Sequence, residues 1–197
     1  MNKKLNQLAT FIIDKCKTIT NHEIINNELI VSTKIANIHK LIKNLKDLDN
    51  LNFDMLLDIT AVDYPKRAKR FELVYILLSL KNKLRIRVKV FLSENENIPS
   101  ITSIYKSAAW YEREVWDMYG ISFKNNVDLR RILTDYGFEG FPLRKDFPLT
   151  GFVELRYDDS KKKVSYSKVK LTQDYRNFDF LSPWEGGVLP GDEKAKK

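Results

Sequence analysis

Residues 70–92 read RFELVYILLSLKNKLRIRVKVFL. In the second half, Leu84, Ile86, Val88 and Val90 alternate with Arg85, Arg87 and Lys89. A period of two puts these sets on opposite faces, so residues 84–92 predict a half-buried antiparallel strand with one basic face. Residues 70–80 are apolar on both faces and predict a central strand. The LKNK between them, residues 80–83, is short enough for a tight hairpin connection. A sheet therefore lies at the centre of the fold.

The flanking segments supply more strands and the helices. FDMLLDITAVDY, residues 53–64, predicts a strand ending at Asp63, Tyr64 and Pro65. ELIVST, residues 28–33, predicts a shorter one. Leu5, Leu8, Ile12, Cys16 and Ile19 keep helical spacing and predict an amphipathic helix over 3–19. Ile35, Ile38, Ile42, Leu45 and Leu48 predict a second over 34–48. A third lies in SAAWYEREVWDMYG, residues 107–120, where Ser107 can cap the start and Gly120 the end. Arg113 and Asp117 stand four apart there and can pair.

Glycine placement divides the chain. Residues 1–119 contain no glycine, and all seven follow, as do four of the six prolines. Gly and Pro punctuate irregular structure. The expectation is a packed domain over 1–120 and an extended, loop-rich segment over 121–197. The fold class is α/β (α+β), with a mixed or antiparallel sheet and helices packed on it.

Composition excludes several functions. The longest apolar run, LVYILL at 73–78, has six residues, far short of the roughly 18 of a membrane span. The first 20 residues lack an apolar signal core and any arginine, so neither a secretory signal nor a transit peptide is expected. The single cysteine, Cys16, precludes an internal disulfide, and an iron–sulfur cluster usually takes four thiolates. With only His22 and His39, a zinc site is not expected. The net charge of +8 leaves nucleic acid, anionic lipid or an acidic protein open as partners, against the plainer reading of a lysine-rich solvated surface.

No motif carries catalysis. Neither GxGxxG nor GxxxxGK[ST] occurs, and YGFEG at 136–140 lacks the following basic and hydroxyl pair. No GxSxG elbow accompanies either histidine. Glu112 and Glu114 point about 200° apart on a helix and cannot share one substrate bond. The basic strand face is not interleaved with exposed aromatics as in a nucleic-acid module. No catalytic, cofactor-binding or metal-ligating residue is assigned.

What remains is DLRRILTDYGFEGFPLRKDFPLTG, residues 128–151. Arg144, Lys145 and Asp146 sit between two Phe-Pro steps, and each proline biases its predecessor toward extended backbone. Ordering such a segment costs about 1–2 kcal/mol per residue in backbone entropy, so it needs its own domain or a partner to pack on. The structural or interface candidates are Glu112, Arg113, Glu114, Asp117, Asp128, Arg130, Arg131, Arg144, Lys145, Asp146 and Arg156.

SAAWYEREVWDMYGISF, DLRRILTDYGFEGFPLRKDFPLTG, VELRYDD and LTQDYRNFDFLSPWE together resemble the 30-kilodalton (C-type) subunit family of respiratory complex I, the NADH:ubiquinone oxidoreductase. The resemblance covers nearly the whole chain, including FDMLLDITAVDY and RFELVYILLSL. It implies a peripheral-arm subunit beside the large quinone-module subunit and cluster-bearing neighbours. It also implies an α/β domain with a long tail laid over those partners, and no cofactor in this chain. FMN and iron–sulfur clusters would belong to other subunits, and no nucleic acid is expected. Four positions depart from the family pattern. Phe141 stands where a histidine is usual, Asn126 replaces another, and Ser167-Lys168 replaces a Glu-Pro pair. No proton-relay role is therefore carried over to 126 or 141. The resemblance begins at the first helix, so no targeting peptide is expected ahead of it. An A/T-rich composition favours the matrix side of the mitochondrial inner membrane, with the bacterial plasma membrane second. The alternatives are the same scaffold in a hydrogenase-like or ferredoxin-fed complex, or an independent basic module for RNA or anionic lipid.

Overall fold

The computed structural model describes residues 2–171 and 173. Contacts divide the chain into two units, Met1–Leu149 and Thr150–Lys197. The first runs past residue 120, where glycine first appears, because residues 126–149 fold back onto the helix that precedes them.

The first unit is built on a five-stranded sheet of order β1-β2-β5-β4-β3. Its strands are β1 (Ile19–Ile25), β2 (Glu28–Thr33), β3 (Met55–Asp63), β4 (Phe71–Ser79) and β5 (Leu84–Leu92). The sheet is mixed: β2 and β5 run parallel, and the other pairings are antiparallel. The hairpin expected at 70–92 forms, with Leu77 opposite Ile86 and Tyr75 opposite Val88.

Alternation on β5 does what the pattern requires. Ile86, Val88 and Val90 are buried, joined across the sheet by Leu29, Val31, Leu73, Tyr75, Leu77 and Ile59. That face packs into one cluster with Ile12 of α1 (Asn2–Lys15), Leu41 and Leu45 of α2 (Ile38–Asp47), and Val115 of α3 (Ala108–Tyr119). On the basic face Arg87 pairs with Glu28, and Lys89 meets Glu72 at 2.6 Å.

Two element bounds differ from expectation. The first helix stops at Lys15, and Ile19 begins β1 rather than ending the helix. Asn26 and Asn27, at φ 50° and 62°, make the two-residue turn into β2. Asparagine tolerates this left-handed backbone, and such turns match the twist of a hairpin. The second helix is preceded by a single tight turn, Ile35–Asn37. Short strands β6 (Ile98–Pro99) and β7 (Phe123–Lys124) pair in parallel on either side of α3 in sequence.

The second unit lies within residues 121–197, the segment expected to be extended and loop-rich. Its described part contains an antiparallel hairpin, β8 (Val153–Asp158) and β9 (Lys163–Lys168). LTQDYRNFDFLSPWE, part of the family resemblance, falls almost wholly outside the described residues.

Candidate functional site

Helix α3 ends where glycine is required. Gly120 has φ +75°, and its N–H donates to the Trp116 carbonyl at 2.8 Å. A Cβ there would also lie 2.5 Å from the Phe141 ring and 2.7 Å from the Arg144 guanidinium. The C-cap is therefore also the point where the following loop closes back on the helix. At the other end Ser107 makes no side-chain capping bond, contrary to the expected cap.

Two carboxylates of α3, Glu112 and Asp117, are fully buried. Asp117 gathers the loop. Its Oδ2 accepts the N–H groups of Ile132, Leu133 and Thr134 at 3.0, 2.7 and 3.0 Å. Its Oδ1 accepts the Thr134 hydroxyl at 2.6 Å and Arg131 Nη1 at 2.9 Å. Burial works to raise this carboxyl's pKa. The donors from Thr134, Ile132, Arg131 and Leu133 outweigh it and hold the group well below the usual carboxylate range.

Glu112 has fewer donors. Oε1 accepts the Ile101 N–H and Oε2 the Asn126 side-chain amide, both at 2.8 Å. Here burial dominates and pushes the carboxyl up. Asn126, one of the positions that departs from the family pattern, thus anchors the start of the loop. Its Oδ1 also accepts the Asp128 N–H at 2.9 Å.

The arginines complete the brace. Arg131 donates to the carbonyls of Phe138 and Gly140 at 2.9 and 3.0 Å, with Trp116 and Phe141 rings each 5.3 Å from its guanidinium. Arg113 does not pair with Asp117 as its spacing allowed. It donates to the carbonyls of Arg130 and Arg131, both at 2.7 Å, and Arg131 takes the place beside Asp117.

A second knot fixes the PLRKDFP stretch. Arg144 Nε donates to the Tyr119 carbonyl and Nη1 to Glu94, both at 2.6 Å, and the guanidinium lies 4.5 Å from the Phe141 ring. Arg70 grips Asp63 with two bonds of 2.7 and 2.9 Å and meets Asp146 at 3.0 Å. The Lys145 N–H also donates to Asp63, at 2.8 Å. Arg70 is the main cause holding the Asp63 carboxyl below its ordinary value.

Most sequence-chosen candidates thus converge on one loop and its helix. Asp128 and Arg130 pair at 2.6 Å on the exposed side, and Glu114 is exposed on α3. Arg156 lies in the second unit, paired with Glu154 at 2.8 Å. Asp63, Arg70, Glu94, Asn126 and Thr134 were not chosen. Lys145 is 82 residues from Asp63, Arg144 is 50 from Glu94 and Thr134 is 17 from Asp117, and no local pattern marks these pairings. Between the knots the loop leaves Val127, Leu133, Tyr136 and Leu149 between 62% and 98% exposed.

The fold and its bracing define a mixed α/β domain whose charged loop is shaped by its own helix and sheet. Residues 31–153 match the family described as "Respiratory-chain NADH dehydrogenase, 30 Kd subunit", and the chain belongs to that family. The C-type subunit of the NADH-quinone oxidoreductase of Sinorhizobium medicae is 55% identical, covering 100% of this chain and 99% of the relative. Its counterpart in Paramagnetospirillum magneticum is 60% identical, covering 85% of each chain. A solved chain of the membrane-bound sulfane sulfur reductase, an archaeal respiratory membrane complex, is also similar. It has a TM-score of 0.64 and 28% identity, covering 74% of this chain and 86% of that one. Among the described residues, no cluster of His, Cys, Asp or Glu could hold a metal ion, and no helix is long and apolar enough to cross a membrane.

Proposed function

We propose that this chain is a scaffold subunit of the peripheral arm of a proton-pumping NADH:quinone oxidoreductase. It supports electron transfer from NADH to quinone by positioning partner subunits, chiefly the large quinone-module subunit, and cluster-bearing neighbours. It carries no cofactor itself; FMN and iron–sulfur clusters belong to other chains. The observation behind this reading is the loop 126–149. Its arginines Arg131 and Arg144, with Arg113 and Asp117 of α3, are turned onto the protein's own backbone, while apolar side chains of the loop stand outward. Such a loop is built to hold a shape, and exposed aromatic and aliphatic side chains on a rigid support suit docking. Attachment to the membrane is through the complex. The mitochondrial inner membrane and the bacterial plasma membrane both satisfy that.

A related complex with another electron donor is the second reading, favoured by the likeness to the sulfane sulfur reductase chain. Similarity ranks the two: 55% identity over the full chain to an NADH-quinone oxidoreductase subunit against 28% over 74%. Gentle purification of the tagged chain, with identification of its companions, tests the proposal. Flavin- and cluster-bearing subunits with NADH oxidation are the expected result. A solitary chain with bound RNA, released steeply by salt, would sink it.

A further inference from the structure

Glu112 lies where the chain enters and leaves α3. Strands β6 and β7 run parallel there, Ile98 beside Phe123 and Pro99 beside Lys124. The Ser100 N–H extends the ladder to the Lys124 carbonyl at 2.9 Å. Just past these pairs the buried Glu112 carboxyl ties the two segments together, with Oε1 on the Ile101 N–H and Oε2 on the Asn126 side-chain amide. Asn126 passes the grip onward, because its Oδ1 accepts the Asp128 N–H. Val127, between them, is 98% exposed and has no packing of its own. Residues 126–128 therefore lean on one carboxyl.

That grip depends on charge. Both donors to Glu112 are neutral amides, whereas Asp117 also faces the Arg131 guanidinium. A buried carboxylate with neutral donors takes up a proton more readily than one beside a cation, and the two carboxyls are pushed in opposite directions accordingly. Hydrogen bonds to an ionised acceptor are roughly twice as strong as neutral ones, so protonation weakens both Glu112 bonds at once. We propose that Glu112 is a proton-operated latch: ionised, it ties residues 126–128 to Ile101, and protonated, it frees the start of the loop while the Asp117 knot keeps residues 131–134 in place. The latch goes beyond the scaffold reading and does not depend on it. Other groups stand near. Tyr75 of β4 faces Glu112 with a buried hydroxyl that has no hydrogen-bond partner among the described residues, and Ser100 lies beside the carboxyl. His39 of α2 lines a cleft with Ser100 and Asn125. Lys124 of β7 is exposed, and Asp63 of β3 faces the Tyr119 end of the helix, held by Arg70.

Nuclear magnetic resonance on the nitrogen-labelled full-length chain, with pH lowered from neutral, tests it. The Ile101 and Asp128 backbone amides and the Asn126 side-chain amide are expected to shift together, with one midpoint above about 4.3, the ordinary glutamate value. The Ile132, Leu133 and Thr134 amides are expected to hold their positions through that transition. The Asp128 carboxyl does not imitate it, because Arg130 holds that group below its ordinary value. Glu112→Gln is expected to abolish the transition, and Tyr75→Phe and His39→Gln to keep it. The absence of a common midpoint in that range overturns the latch, as does a transition shared with residues 132–134. So does one that survives Glu112→Gln, or one that disappears in Tyr75→Phe or His39→Gln. The wild-type titration alone supplies the first two readings, so the proposal stays falsifiable should Glu112→Gln fail to fold.

Discussion

Asp117 and Glu112 share a helix and are equally buried, yet their carboxyls shift in opposite directions. The number of donors decides. Asp117 receives five hydrogen bonds from the loop and Arg131, whereas Glu112 cannot offset burial. The pH dependences are therefore opposite. Asp117 contributes stability that is present above its unfolded pKa, about 3.9, and is lost as pH falls toward its depressed folded value. Glu112 costs stability as pH rises from its unfolded value, about 4.3, through its raised folded value. Denaturant titrations across acid pH are expected to show this. The deficit of Asp117→Asn shrinks below about pH 4, and wild type loses ground to Glu112→Gln as pH rises. At neutral pH Asp117→Asn should cost about 3–5 kcal/mol, since it strands Arg131 and presents an amide to three N–H donors. Asp128→Ala, which breaks an exposed pair, should cost far less. Gly120→Ala should cost more than the about 1–2 kcal/mol of left-handed backbone, because Phe141 and Arg144 must also move.

Helix α3 and its loop behave as one element, and it was only partly legible in the sequence. Gly120 announced the helix end because no other residue suits that backbone and that close approach. The hairpin of β4 and β5 was legible because one face of β5 must be buried. Strand β1 was missed because its side chains are mostly exposed, which leaves no alternation to read. Its signal was the Asn26-Asn27 turn. Asn27→Val is expected to destabilise the protein by about 1–2 kcal/mol, read as a lower unfolding midpoint, while Asn27→Gly is tolerated. The site was legible as composition but not as pairing. Spacing pointed Arg113 at Asp117, yet the loop carbonyls claim Arg113. Asp63 lies 82 residues from Lys145, beyond the reach of any local pattern.

At the scale of the whole molecule, the family fixes the setting and the loop supplies the means. In the proposed role, the knots around Asp117 and Arg144 hold residues 126–149 in the form a partner meets, so damage to a knot acts on assembly before it acts on turnover. The direct measurement is NADH:quinone turnover per assembled complex in membranes carrying Arg144→Ala, with complex abundance measured beside it. Arg144 binds Glu94 and the Tyr119 carbonyl, so its loss loosens the loop without removing a reactive group. The account predicts less assembled complex, with the remaining complexes turning over at the wild-type rate. Normal abundance with slowed turnover would contradict it and give this chain a part in the chemistry.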